Sequence, residues 1–134
     1  MKLDGKKVCV TGAAGFLGRH LSAGLLARGA EVIALDNFEI GSHDAFDESE
    51  DGLTIYNADI RDIDSIKSAL GEADVVYHLA AIANPRTCQR DFSLAFDVNV
   101  RGTQNVLDAS HHVERMVFLS SIMVYGEPRY LPID

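Results

Sequence analysis

Residues 7–18 constrain this chain most. A short β-rich run, Lys7 to Thr11 (KVCVT), passes directly into Gly12-Ala13-Ala14-Gly15-Phe16-Leu17-Gly18, and helical spacing begins at Phe16. A strand that turns into a helix through three glycines makes a specific demand on the backbone. Gly12 permits the tight turn, Gly15 lets another group approach the main chain, and Gly18 lets helix and strand pack closely. The spacing is G-x-x-G-x-x-G, one residue longer than the G-x-G-x-x-G form.

The rest of the chain alternates in the same way. Strands are expected at Glu31 to Asp36 (EVIALD), Leu53 to Asn57 (LTIYN), Asp74 to Leu79 (DVVYHL) and Arg115 to Ser120 (RMVFLS). These are nearly continuous apolar runs, as strands are when helices cover both faces of their sheet. Between them, Phe16 to Arg28 places Phe16, Leu17, His20, Leu21, Leu25 and Leu26 near helical spacing, with Gly29 as a stop. Asp62 caps a short helix with Ile63, Ile66 and Leu70 inside and Gly71 at its end. A longer helix runs from Asp91 or Phe92 to His111, with Phe96, Val100, Gln104 and Leu107 along one side. Alternating β and α units imply an α/β fold with a right-handed, doubly wound parallel sheet of about five strands. The 134 residues read as one domain, 1–134, without internal repeat.

That architecture gives the glycine turn a ligand. Free amides at the helix N-terminus, aided by the helix dipole, suit a pyrophosphate. Asp36 ends the second strand, where a carboxylate accepts hydrogen bonds from ribose hydroxyls and repels a 2′-phosphate. The residues after it are Asn37, Phe38 and Glu39, with no arginine, so NAD is favoured over NADP.

Charge excludes other classes. Lys and Arg number 12 against 20 Asp and Glu, for a net charge of −8, which disfavours a nucleic-acid partner. The acids crowd between residues 31 and 74, especially from Asp44 to Asp51, where a solvated loop is expected. The start, MKLDGKK, has no apolar signal segment and no run is long enough to span a bilayer, so the reading is a cytoplasmic protein with no membrane partner. Cys9 reads as a small core residue, and Cys9 and Cys88 do not suggest a disulfide framework. Histidines 20, 43, 78, 111 and 112 share no metal-ligand spacing with cysteines, so no metal is expected. His78, inside a strand, reads as a hydrogen-bonded core residue. Arg86 and Arg90 are left open between contact with a diphosphate and solvated loop positions.

Six motifs in register with these elements, TGAAGFLG (11–18), DNF (36–38), ADIRD (58–62), HLAA (78–81), NVRGT (99–103) and SSIMVYG (120–126), make the sequence resemble the extended short-chain dehydrogenase/reductases. Within them it is most similar to the NAD-dependent sugar-nucleotide epimerase/dehydratase family, UDP-glucose 4-epimerase-like members in particular. The resemblance covers almost the whole chain. It implies a Rossmann-type fold with NAD as cofactor, and it implies site residues position by position. Phe16 and Leu17 meet the pyrophosphate through their amides. Asp36, Asn37 and Phe38 border the adenosine, with Gly41 and Ser42 nearby. Asp59 and Ile60 meet the adenine, the Asp59 carboxylate accepting from its exocyclic amine. Leu79, Ala80 and Ala81 form a small-residue wall, and Asn99 stands near the cofactor and central strands. Ser121 aligns with the catalytic Ser/Thr that hydrogen-bonds substrate; the lesser alternative is a capping hydroxyl at a strand end. Tyr125 aligns with a structural tyrosine.

The family's general base is a tyrosine followed four residues later by a lysine. Tyr56, Tyr77, Tyr125 and Tyr130 are followed at that spacing by Ile60, Ala81, Arg129 and Asp134, so none fits. The expectation is therefore the NAD-binding part of an enzyme that moves a hydride between a nucleotide-sugar (a UDP-sugar) and NAD, cut short before the sixth strand and the substrate region and inactive alone. A stand-alone NAD-binding module and a non-sugar reductase are the alternatives. Loss of covering elements further predicts an exposed apolar face around Phe96, Val100, Val117 and Leu119, and hence a homo-oligomer.

Overall fold

In the computed structural model, which describes residues 3–127, 129 and 130, five strands form one parallel sheet in the order β3-β2-β1-β4-β5. The strands are β1 (Lys7–Thr11), β2 (Glu31–Asp36), β3 (Leu53–Asn57), β4 (Val75–His78) and β5 (Arg115–Phe118). Counting outward from β1, the chain winds first to β2 and β3 on one side, then crosses to β4 and β5 on the other. This is the Rossmann-type winding, and its reversal point lies between β1 and β4. The last two strands are shorter than the apolar runs suggested, because Leu79, Leu119 and Ser120 continue past the ladder into the loops above it.

Burial on both faces explains the unbroken apolar runs. Cys9, Ile33, Leu35 and Val76 point to one face and pack with Ile66, Leu70 and Val106. Val8, Val10, Val32 and Val75 point to the other and pack with Leu25 and Ala13. Cys9 is fully buried and free, as expected of a small core residue, and desolvation pushes its thiol up to about 12.

The helices are α1 (Phe16–Leu26), α2 (Ile63–Gly71), α3 (Pro85–Arg90), α4 (Phe92–Phe96) and α5 (Thr103–Ala109), with a π-helical segment, Asp97–Gly102, joining the last two. Asp62 caps α2 by accepting from the Asp64 amide at 3.1 Å, and Ile66 and Leu70 are buried, as read from sequence. Three expectations need correction. The buried side of α1 is Gly18, Ser22 and Leu25, whereas Phe16, Leu17 and His20 are exposed. The single long helix after Asp91 is three pieces, and its Phe96, Val100, Gln104 and Leu107 side faces outward while Ala95, Gly102 and Val106 are buried. Arg86 and Arg90 lie on α3, which Asn84 caps and Pro85 begins, and not on a loop.

The exposed apolar face exists, with one change of member: Val117 is half-buried and its neighbour Phe118 stands open beside Leu119. No helix among the described residues is long and apolar enough to cross a membrane. The described residues contain no cluster of three or more metal-ligating side chains.

Candidate functional site

The turn after β1 and the ends of the neighbouring strands enclose one cleft across the C-terminal edge of the sheet. Gly12, Gly15 and the segment 79–82 line both of its halves. The half beside β2 and β3 adds Asp36, Asn37, Gly41, Asp59 and Ile60. The half beside β4 and β5 adds Phe16, Leu17, Gly18, Asn99 and Ser121. Phe38 and Ser42, expected beside the adenosine, line neither half. Ser42 caps the short turn 43–45 through the Asp44 amide, and Phe38 stacks on His43 with ring centroids 3.6 Å apart.

Glycine is required where the turn is tightest. Gly12 has φ +69°, and a Cβ there would lie 2.7 Å from the Ala80 nitrogen. A Cβ on Gly18 would lie 2.2 Å from the Gly12 carbonyl oxygen, so any side chain would push α1 off the turn. No side chain caps α1 at Gly15, unlike α2, α3 and α4, which Asp62, Asn84 and Asp91 cap, and the first turn of α1 holds no acid. A helix leaves its first N–H groups without internal acceptors, so this end of α1 presents donors and a positive dipole to the cleft.

Across from it, the Asp36 carboxylate accepts from the Ala14 amide at 2.9 Å and the Phe38 amide at 2.8 Å. The first bond ties the glycine turn to the end of β2. The second holds Phe38 in the left-handed region, at φ 55°, a conformation costing about 1–2 kcal/mol for a residue with a side chain. A carboxylate offers about four acceptor directions, so Asp36 retains room for ligand hydroxyls.

Asp59 does not. Its oxygens accept from the Arg61 amide at 2.8 Å, Arg61 Nε at 2.9 Å, Arg61 Nη2 at 2.5 Å and Asn37 Nδ2 at 3.0 Å. The Arg61 guanidinium chiefly holds the Asp59 carboxyl down at about 2. Arg61 also reaches Glu39 at 3.2 Å, clasping the loops after β2 and β3 together. Four internal donors fill the acceptor capacity of this carboxylate. Its observed work is to order Asn37 and Arg61, and the expected bond from an adenine amine would have to displace one of them.

Deeper in the cleft, the fully buried His78 contacts Thr11 Oγ1 through Nδ1 at 2.7 Å and Thr103 Oγ1 through Nε2 at 2.9 Å. Burial lowers its pKa to about 4, so the ring is neutral at ordinary pH. Asn99 accepts from the Ile82 amide at 2.8 Å and donates to the Ile82 carbonyl at 3.1 Å, which bolts the small-residue wall to the π-helical segment. Ser121 lies at the mouth of this half, its hydroxyl accepting from the Met123 amide at 3.2 Å. The Ser121 hydroxyl therefore caps the turn Ile122–Tyr125, beyond the end of β5, and its proton is left available to a ligand.

With this geometry in view, the profile of the NAD dependent epimerase/dehydratase family matches residues 8–134. The chain belongs to that family. UDP-N-acetyl-alpha-D-glucosaminuronate decarboxylase of Bacillus cytotoxicus is 34% identical over 123 residues, covering 91% of this chain and 38% of that protein. Among solved structures, the UDP-glucose 4-epimerase of Thermus thermophilus, a complex with NAD, is similar with a TM-score of 0.79 at 38% identity, covering 86% of this chain and 37% of that one. The epimerase Mth375 of Methanothermobacter thermautotrophicus has a TM-score of 0.91 at 32% identity, over 98% of this chain and 40% of its own. This epimerase/dehydratase-family chain thus spans about two-fifths of the length of the relatives it matches.

Sequence reasoning did not single out Thr11, Glu39, Arg61, Ile82 or Thr103 for the site. Their roles depend on partners far along the chain, apart from the Asp59–Arg61 contact, which the i, i+2 spacing in ADIRD made available. The Asn84-Pro85 pair was a readable helix start for α3.

Proposed function

We propose that this chain binds NAD in the cleft and forms the cofactor-holding part of a nucleotide-sugar epimerase or dehydratase. The carrying observation is the uncapped, glycine-lined N-terminus of α1 facing a strand-end carboxylate that still has acceptor directions free. The residues fit the group. Gly12, Gly15 and the amides of Phe16 and Leu17 would hold a pyrophosphate, and Asp36 would take ribose hydroxyls. Gly41, packed against Ala14, and Asn37, oriented by Asp59, would close the adenosine side together with Ile60. Leu79, Ala80 and Ala81 would face the ribose and nicotinamide, keeping that wall small. Bound NAD supplies a hydride acceptor and donor. The chain's own share of the chemistry is to orient, through Ser121 Oγ, a hydroxyl or carbonyl of a substrate, and to exclude water along the 79–82 wall.

The UDP-sugar names of the relatives support a UDP-sugar as substrate of the whole enzyme. The test is calorimetric titration with NAD and NADP. Saturable NAD binding with NADP at least about tenfold weaker is expected, since a 2′-phosphate would meet the Asp36 carboxylate in a low-dielectric cleft. Equal affinity, or no NAD binding, refutes the reading.

A further inference from the structure

The hydrogen bonds around His78 have only one consistent direction. Thr103 Oγ1 donates its proton to the Asn99 carbonyl at 2.8 Å, so toward His78 Nε2 it accepts, and Nε2 carries the ring proton. In a neutral imidazole Nδ1 is then bare and accepts from Thr11 Oγ1. The Thr11 oxygen in turn accepts from the Leu79 and Ala80 amides, each at 3.2 Å, the Leu79 amide being shared with the Thr11 carbonyl. At the other end the Asn99 side chain holds both backbone groups of Ile82. The bonds therefore close on themselves: wall amides to Thr11, Thr11 to His78, His78 to Thr103, Thr103 to Asn99, and Asn99 back to the wall at Ile82.

We propose that His78 is a positioning residue for the cleft, acting as the Nε2–H tautomer that completes this ring and so holds the wall 79–82 against the Gly12 turn. Any role toward NAD rests on the function proposed above. The clearance is small: Ala80 lies so near Gly12 that one methyl at Gly12 would strike its nitrogen. A wall freed at one end would move into or away from the cleft. No other arrangement of protons satisfies the ring. An Nδ1–H would point at an oxygen already accepting two amides, and a bare Nε2 would face a hydroxyl whose proton is spent.

Three measurements on this chain test the proposal. Long-range proton–nitrogen correlation with labelled histidine should show His78 protonated at Nε2 and bare at Nδ1. The Nδ1–H tautomer or an imidazolium at neutral pH would overturn it. Thr103→Val removes the acceptor and Thr103→Ser restores it. In Thr103→Val the Leu79, Ala80 and Ile82 amides should exchange with solvent about tenfold faster while Val10 and Val32 keep their rates, and Thr103→Ser should return to within about twofold of the parent. Unchanged wall exchange overturns the proposal. The NAD dissociation constant should rise about tenfold in Thr103→Val and recover in Thr103→Ser; if NAD binding is unaffected while the parent binds, the positioning role is refuted. If the parent binds no NAD, the proposed function fails, and the tautomer and wall exchange still decide the ring.

Discussion

The three glycines of the turn do different work, and substituting two of them separates packing from ligand approach. A Cβ on Gly18 would lie 2.2 Å from the Gly12 oxygen, 2.6 Å from Ala13 Cα and 2.7 Å from the Ala13 oxygen. Non-bonded heavy atoms rest at about 3.5–4.0 Å, so α1 must retreat by about 1 Å, and all three obstacles are backbone that no rotamer change relieves. Overpacking of this kind costs about 1–3 kcal/mol, against roughly 0.5–1 kcal/mol gained by replacing glycine inside a helix. Gly18→Ala should therefore destabilise the fold by about 2 kcal/mol, taking the upper part of that range because the clash is with main chain.

Gly15 contrasts with it. Its backbone, φ −70° and ψ 170°, suits any residue, and an added Cβ would meet only the Gly12 oxygen, at 3.2 Å. The entropy taken from the unfolded chain, about 0.4–1 kcal/mol, roughly offsets the poorer helix cap of alanine. Stability should change by less than about 0.5 kcal/mol. The new methyl sits on the floor of the cleft, however, and should cost a pyrophosphate one charge-assisted amide bond of about 1.5–3 kcal/mol, or roughly 10- to 150-fold in affinity. Urea midpoints and NAD calorimetry on both variants provide the readouts. If Gly15→Ala unfolds as readily as Gly18→Ala, or binds NAD as the parent does, Gly15 and Gly18 do not divide ligand approach and packing between them.

Other outcomes follow from single observations. Asp59 has its folded pKa near 2, below its unfolded value near 3.9, so its pairing with Arg61 stabilises the fold above about pH 4 and that contribution is lost as pH falls toward 2. With Asp59 and Arg61 side chains 25% and 33% exposed, solvent screening leaves about 1 kcal/mol of it, which should vanish from the acid limb of urea titrations in Asp59→Asn; an unchanged limb would count against it. Ser22 is buried with its hydroxyl unpartnered, so Ser22→Ala should raise stability by about 1 kcal/mol in urea unfolding, and a loss of stability would mean that hydroxyl has a partner. The outward Phe92, Phe96, Val100 and Leu107, with Phe118 and Leu119, should make this chain associate as its concentration rises; light scattering showing a clean monomer at high concentration would refute that.

What could be read from the sequence was whatever local chemistry dictates. Strands buried on both faces need unbroken apolar runs, and a strand passing into a helix through a tight turn needs glycine, so the five strands and the glycine turn into α1 were legible, although β4 and β5 end earlier than their apolar runs. The helix after Asp91 was misread because apolar periodicity assumes 3.6 residues per turn. The π-helical segment at Asp97–Gly102 breaks that period and brings Asn99 against Ile82. Phe16 and Leu17 lie at helical spacing with Leu21 and Leu25 yet are exposed, because the first turn of α1 serves the cleft rather than the core. The relay through Thr11, His78 and Thr103 was hidden for a different reason. Each hydroxyl is an ordinary residue in its own segment and acquires a role only when parallel pairing sets Thr11 beside His78. Sequence periodicity registers which face a residue is on, whereas the direction of a hydrogen bond is a property of the assembled ring. That is why the residue type at position 78 was readable as a satisfied core histidine, and its tautomer became deducible only once Thr103 was seen to have spent its proton on Asn99.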